Sequence, residues 1–199
     1  DQEWDKWQFS LVSPEISGYV SVPRNDINRV VVLDLDKLVI PNNIAQEENI
    51  QSRFDFSGWR FPLEINVDYL QYKNKIMDNV VAKFEPIQYG YYIKQLSFWM
   101  KDTRVDAKGY WHSLTKHSQV DVSRKMRTEN ISSTLDILGI NKSLRKANGE
   151  VDFNLSWIAS PFKLTPEALN GEINFNFKDG SIEGINPGFG RILSLMSID

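Results

Sequence analysis

Alternation of apolar and polar residues with a period of two constrains this chain more than any other feature of its sequence. Near the start, Trp7, Phe9 and Leu11 alternate with polar residues, and the same pattern returns repeatedly as far as Phe177. Successive side chains of a β-strand point to opposite faces, so each such segment predicts a strand with one apolar and one polar face. The pattern predicts a mainly β, mostly antiparallel protein of about ten strands.

Helical patterns are few, and this decides how the sheet can be covered. Only residues 131–138 and 186–196 have apolar residues at helical spacing. Two short helices cannot cover the apolar side of so many strands. The sheet must therefore either pack against a second sheet, as in a closed sandwich or barrel, or curl and hold something apolar. Base rates favour the closed forms, and the residues alone leave both open.

Composition excludes several classes of function. The chain has 199 residues, a net charge of −3 and no cysteine. A nucleic-acid-binding role, a disulfide framework and a cysteine metal site are therefore not expected. No apolar run is long enough for a transmembrane helix. The chain opens with Asp1 rather than Met and stops just after an apolar helical pattern, so we expect both ends to lie within a longer protein.

Candidate catalytic and metal-binding residues are weak. His112 and His117 are the only histidines, and no set of nearby carboxylates converges on them as a metal site requires. No nucleophile, base and orienting group occur together. The sequence therefore predicts a protein that is not an enzyme and that has no cofactor, no catalytic residue and no metal site.

A basic segment, residues 112–149, has seven Lys or Arg residues and three acidic ones, although the whole chain is acidic. Such a segment can bind anionic lipid headgroups. Because acidic residues are interspersed, we favour an ordinary solvated face.

The last quarter of the chain has a recognisable order of motifs. A strand at Val151 to Trp157 leads to Pro161, a Leu-x-Gly motif at Leu169 to Gly171 opens the strand of Ile173, Phe175 and Phe177, and Asp179-Gly180 forms a turn. A Pro-Gly-x-Gly-Arg run then begins at Pro187 and opens a short apolar helix. This order resembles the AsmA-like periplasmic lipid-bridge family of Gram-negative bacteria, in its YhdP type. Ala159 and Ser194 stand where that family usually has glycine.

The resemblance implies a fold, a place in the cell and partners. The fold is a strongly curved, taco-like antiparallel sheet with an apolar groove and one or two short helices. The chain would be a periplasmic segment of an inner-membrane-anchored protein that carries phospholipid between the inner and outer membranes and supports outer-membrane integrity. Its partners would be phospholipid acyl chains, both membranes through the rest of the full-length protein, and other envelope proteins. Residues 1–199 would form one continuous segment, with loosely matching strands in 1–40, a loop in 41–56 and the family-like C-terminal part in 57–199.

The alternation phase and the resemblance together predict which residues line the groove. The predicted groove residues are Leu63, Ile65, Val67, Leu96, Phe98, Val151, Phe153, Leu155, Trp157, Ile173, Phe175 and Phe177. The apolar residues predicted for the end helix, which would plug or gate one end of the groove, are Phe189, Ile192, Leu193 and Met196. The alternative function is a non-enzymatic β-sandwich scaffold that binds another cell-envelope protein.

Overall fold

The computed structural model describes residues 6–24, 29–40, 61–72, 74–113, 118–130, 144–145, 148–159, 168–178 and 181–182. These residues are nearly all β and contain no α-helix. The twelve strands are β1 (Lys6–Val12), β2 (Ile16–Pro23), β3 (Val31–Ile40), β4 (Leu63–Tyr72), β5 (Lys75–Ile87), β6 (Gly90–Met100), β7 (Thr103–Ser113), β8 (Ser118–Thr128), β9 (Leu144–Arg145), β10 (Asn148–Trp157), β11 (Asn170–Lys178) and β12 (Ser181–Ile182). The helices predicted in 131–138 and 186–196, and the loop predicted in 41–56, lie outside the described residues.

Ten of these strands form one sheet in the order β1-β2-β3-β4-β5-β6-β7-β8-β10-β11. The order follows the chain except for the short strand β9, which pairs with β12 in a separate two-stranded sheet. All neighbours in the large sheet are antiparallel except β3 and β4, which are parallel. The two edge strands, β1 and β11, are not paired with each other, so the sheet is not closed into a barrel.

Local turn chemistry explains the tight connections. Between β1 and β2, the Ser13 hydroxyl accepts hydrogen bonds from the backbone N–H groups of Glu15 and Ile16, both at 3.2 Å. This confirms the turn predicted at Ser13-Pro14-Glu15. The hairpin predicted around Asn74 is also confirmed, because β4 and β5 pair up to Tyr72 and Lys75.

One prediction of strand length was wrong. The sequence pattern indicated only a short strand at Val120 and Val122, whereas β8 runs from Ser118 to Thr128 and pairs along its whole length with β7. The pattern failed at Arg124, a charged residue at a position where the alternation requires an apolar one. Backbone pairing with two neighbours maintains the strand through this interruption.

The core lies on one side of the sheet, and the burial there is deep. Val151 has 0% of its surface exposed and Val120 has 1%. A flat single sheet leaves such side chains open to water, and no second sheet of comparable size exists among the described strands. The burial therefore indicates that the sheet curls toward its apolar side.

Candidate functional site

The apolar side of the sheet is the candidate site, and the pairing register defines it. Directly paired residues on neighbouring strands have their side chains on the same face. Following the register from one edge strand to the other gives a set of ten residues, one from each strand, which we call the central row. It consists of Phe9, Val20, Leu33, Ile65, Ala82, Leu96, Ala107, Arg124, Phe153 and Ile173. Nine of the ten are apolar.

A second row runs beside the central row on the same face. It consists of Val31, Leu63, Phe84, Ile93, Gly109, Val122, Leu155 and Gly171. On the other side of the central row, Phe98 is the first of a third row that continues through Val105, Met126, Val151 and Phe175. We call the side of the sheet that carries these three rows the apolar face.

Two buried clusters form on the apolar face. The larger one is built on β6, β7, β8 and β10 and includes Val151, Phe153 and Trp157. The smaller one is built on Leu35, Val67 and Val80, from β3, β4 and β5. Leu96 and Phe98 pack against both clusters, so the two clusters join into one apolar surface across the sheet.

Three bulges keep apolar side chains on this face. In β6 the register with β7 shifts between Ile93 and Leu96. Because of this shift, both residues lie on the apolar face although they are three positions apart. In β5 a shift follows Asp78, where Asn79 has a φ of 51°, and in β3 Asp36 is the extra residue opposite Ser17 and Gly18 of β2. A bulge adds one residue to one strand and reverses the alternation beyond it.

The register places the predicted groove residues as follows. Ile65, Leu96, Phe153 and Ile173 belong to the central row, Leu63 and Leu155 to the second row, and Phe98, Val151 and Phe175 to the third. Val67 pairs with Leu35 and Val80, Trp157 pairs with Val120, and Phe177 pairs with Gly149. The side chains of Phe175 and Phe177 are outside the description, as are all of the end-helix residues Phe189, Ile192, Leu193 and Met196.

The sequence reasoning missed part of this face. Val20, Leu33, Ala82 and Ala107 were in segments identified as strands, but only the register between strands places them in the central row. Their own alternation was the available signal. Arg124 was missed for the opposite reason, because a charge is not expected on an apolar face.

The opposite side of the sheet, which we call the polar face, carries paired charges. Lys125 bonds Glu150 at 2.9 Å, and Arg127 bonds the same carboxylate at 3.0 Å. These hydrogen bonds, from Lys125 first and then from Arg127, lower the pKa of Glu150. Farther along the sheet, Lys83 pairs with Glu64 at 3.1 Å. The polar face is therefore in contact with solvent, and its charged side chains form ion pairs that are partly exposed.

The chemistry available at this site is that of apolar contact. Among the residues that the structure describes, no group of three or more His, Asp or Glu side chains is arranged to hold a metal ion. His112 stacks on Tyr110 with ring centroids 5.8 Å apart, and His117 lies outside the description. No helix within the described ranges is long and apolar enough to cross a membrane.

Comparison with known proteins relates this chain to one family. The model of the family described as YhdP protein matches residues 1–199. The intermembrane phospholipid transporter YhdP of Escherichia coli (strain K12) is 29% identical over 98 residues, which are 49% of this chain and 8% of that protein. The matched segment therefore spans less than a tenth of the length of this relative.

No solved structure matches the chain. The family match extends over residues 1–40, where the motifs themselves gave only a loose likeness, as well as over the C-terminal part. Because the match covers the whole sequence, the chain belongs to the YhdP family.

Proposed function

We propose that this chain is a segment of a bridge that carries phospholipid between the inner and outer membranes. The acyl chains lie against the apolar face, and the headgroups stay in water. The chain would be a periplasmic segment of a longer, inner-membrane-anchored protein, and its activity would support the integrity of the outer membrane. The observation that carries the proposal is the central row, which is apolar at nine of its ten positions and crosses every strand of an open sheet.

The length of the central row suits a path rather than a pocket. Neighbouring strands lie ~4.8 Å apart, so ten strands span about 43 Å. One acyl chain covers about 15 Å, half of the ~30 Å hydrocarbon core of a bilayer. The row is thus nearly three acyl chains long. A site for one small ligand does not need such length, whereas a lipid that moves in steps does.

The free energy of exposing a lipid explains why a continuous face is needed. Each CH₂ group moved into water costs ~0.8 kcal/mol, so two chains of about sixteen carbons cost on the order of 25 kcal/mol. Diffusion of lipid monomers between membranes is negligible against such a barrier. Interchangeable apolar contacts along the face lower the barrier, and no bond has to be made or broken. The name of the Escherichia coli relative, an intermembrane phospholipid transporter, supports the same function.

The remaining parts of the chain have matching roles in this proposal. The helix expected at 186–196 would dock its apolar residues at one end of the face, either as a lid that gates the lipid or as plain packing.

The alternative function, a closed β-sandwich scaffold, needs a second sheet over the apolar face. Besides the large sheet, the described residues contain only the pair β9 and β12, which is too small for that purpose.

A matched pair of substitutions tests the proposal. Phe9 and Tyr19 are aromatic residues with similar exposure, 53% and 50%, but the register puts Phe9 on the apolar face and Tyr19 on the polar face. In the full-length protein, Phe9→Asp should slow phospholipid transfer at least about ten-fold, because passing acyl chains must desolvate a carboxylate. Tyr19→Asp should leave transfer unchanged.

Both variants should keep the melting temperature of the unchanged protein, since surface substitutions change stability by only about 0.5 kcal/mol. Equal transfer by the two variants, with both folded, would contradict a lipid path on the apolar face.

A further inference from the structure

Arg124 occupies an unusual position on the apolar face. It is the one charged residue of the central row, where its partners in register are Ala107 on β7 and Phe153 on β10. Its neighbours two residues away on β8, Val122 and Met126, are buried members of the larger cluster. Side chains stand roughly perpendicular to a sheet, so this arginine rises from the middle of an apolar surface. Its side chain is exposed to solvent.

The charge of Arg124 is not neutralised within the described part of the chain. The other basic residues of β8 have carboxylate partners on the polar face: Lys125 pairs with Glu150 and Asp152, and Arg127 pairs with Glu150 and Asp106. Among the described residues, no carboxylate lies within ion-pair distance of Arg124. Its backbone φ is 154°, which L residues rarely adopt. Strain of this kind gathers at functional positions.

Acyl chains bound on the apolar face would change the solvation of the Arg124 side chain. The guanidinium of Arg124 is exposed, and an exposed charged group is hydrated by solvent. Acyl chains packed on Phe153 and Met126 would remove that water, and a desolvated charge without a counter-ion is unfavourable. A lipid brings a suitable counter-ion with it, because a phosphodiester accepts two parallel hydrogen bonds from a guanidinium.

From this geometry we infer that Arg124 is a binding site for the phosphate group of a phospholipid, placed within the path of the acyl chains. The inference rests on the proposed function and adds one specific headgroup-binding position to the proposed lipid path. Elsewhere along the face the headgroups stay in water, but at β8 the phosphate of each passing lipid turns toward the face and pairs with Arg124, while its chains lie on the flanking apolar residues. The small side chain of Ala107 beside it leaves room for the arginine stem. The site selects phosphate-bearing lipids over neutral ones with the same chains.

Lipid binding by purified protein, followed by native mass spectrometry, tests this inference. The probes are a phosphatidylglycerol and a diacylglycerol with identical acyl chains, each supplied in the same nonionic detergent. The unchanged protein should bind the phospholipid about ten-fold more tightly, as expected for hydrogen bonds to a charged group. Arg124→Met keeps the apolar stem and should abolish this preference without weakening diacylglycerol binding.

Matched variants separate the site from general charge effects. Arg127→Met removes a positive charge three residues away on the polar face and should keep the full preference. Arg124→Lys should keep part of it, because an ammonium lacks the planar pair of donors. Melting curves of each variant establish that the protein is folded.

Three results would contradict different parts of this inference. A folded Arg124→Met variant that still prefers phospholipid would overturn the assignment of Arg124 but leave the proposed function standing. Inorganic phosphate that binds as tightly as the lipid, and depends on Arg124, would identify a free-phosphate site and overturn the lipid assignment. Absence of binding by either lipid to the unchanged protein would contradict the proposed function and this inference with it.

Discussion

At the scale of the residue, backbone geometry restricts several positions on the apolar face more strongly than hydrophobicity does. Gly18 in β2 is buried opposite Leu35, at the register shift between β2 and β3. Its φ is +133°, and a Cβ atom there would overlap the carbonyl oxygen of Asp34 and lie 2.6 Å from the Cα of Leu35. Only glycine fits, because it lacks the Cβ that would clash. Glycine at this position therefore lets β2 and β3 approach closely at the register shift.

Replacing Gly18 tests this reading. Gly18→Ala should lower the free energy of unfolding by about 1–3 kcal/mol, because the methyl group forces the neighbouring strands apart at a strained φ. Gly149→Ala is the matched control, since Gly149 in β10 is not among the glycines with positive φ. The control should change stability by less than about 1 kcal/mol, in the stabilising direction. Equal destabilisation by the two changes in urea unfolding would show that backbone conformation is not the cause.

At the scale of the element, the alternating pattern predicted the strands well because each strand's two faces are encoded locally. Phe9 and Leu11 share one face of their strand, as do Val151 and Phe153, because polar residues alternate with them in the sequence. The lateral partners of a strand are not encoded in this way. The parallel pairing of β3 with β4 was not predicted, because it depends on how the chain crosses from Ile40 to Leu63.

Bulges also escaped prediction. The segment from Ile93 to Leu96 places two apolar residues on one face although they are three positions apart. A strict period of two cannot produce this facing, and the bulge is visible only in the pairing with β7. In β8, the single charge of Arg124 concealed most of an eleven-residue strand. Functional positions are where such departures from a local pattern are expected.

The polar face supplies a prediction about pH. Hydrogen bonds from Lys125 and Arg127 lower the pKa of Glu150 below its ordinary value. A carboxyl with a lowered pKa in the folded protein adds stability above its unfolded pKa and loses it as the pH falls through the folded pKa. Glu150→Gln should therefore lower the melting temperature at neutral pH. This difference should shrink as the pH drops below about 4, near the unfolded pKa of a glutamate, and it should also shrink in high salt.

The matched control for this prediction is Glu172→Gln. Glu172 is an exposed carboxyl on the same face of the neighbouring strand β11, and it makes no ion pair with the described residues. Its replacement removes a carboxylate from the same face without breaking an ion pair among the described residues, so it should lower the melting temperature at neutral pH less than Glu150→Gln does. A difference between Glu150→Gln and the unchanged protein that persists undiminished in acid would contradict the assigned role of the ion pairs.

At the scale of the whole molecule, two faces with opposite chemistry run across ten strands. The apolar face joins two buried clusters through Leu96 and Phe98, and the polar face is held by ion pairs such as Lys83 with Glu64. Residue patterns alone left a sealed sandwich and an open curved sheet as alternatives, because both need the same alternation. The pairing order favours the open sheet, since ten of the described strands form one sheet with unpaired edges at β1 and β11, and the other described strands form only the short pair β9 and β12.

Site-specific photo-crosslinking in cells tests most directly whether lipid moves along the apolar face. A photoreactive amino acid is placed singly at Leu33 or Ile173, which lie in the central row on distant strands, and at Tyr19 or Asn174 on the polar face. Our account predicts phospholipid adducts at both apolar-face positions and none at the polar-face positions. Adducts of equal yield on the two faces, or none at Leu33 and Ile173 in folded protein, would contradict it.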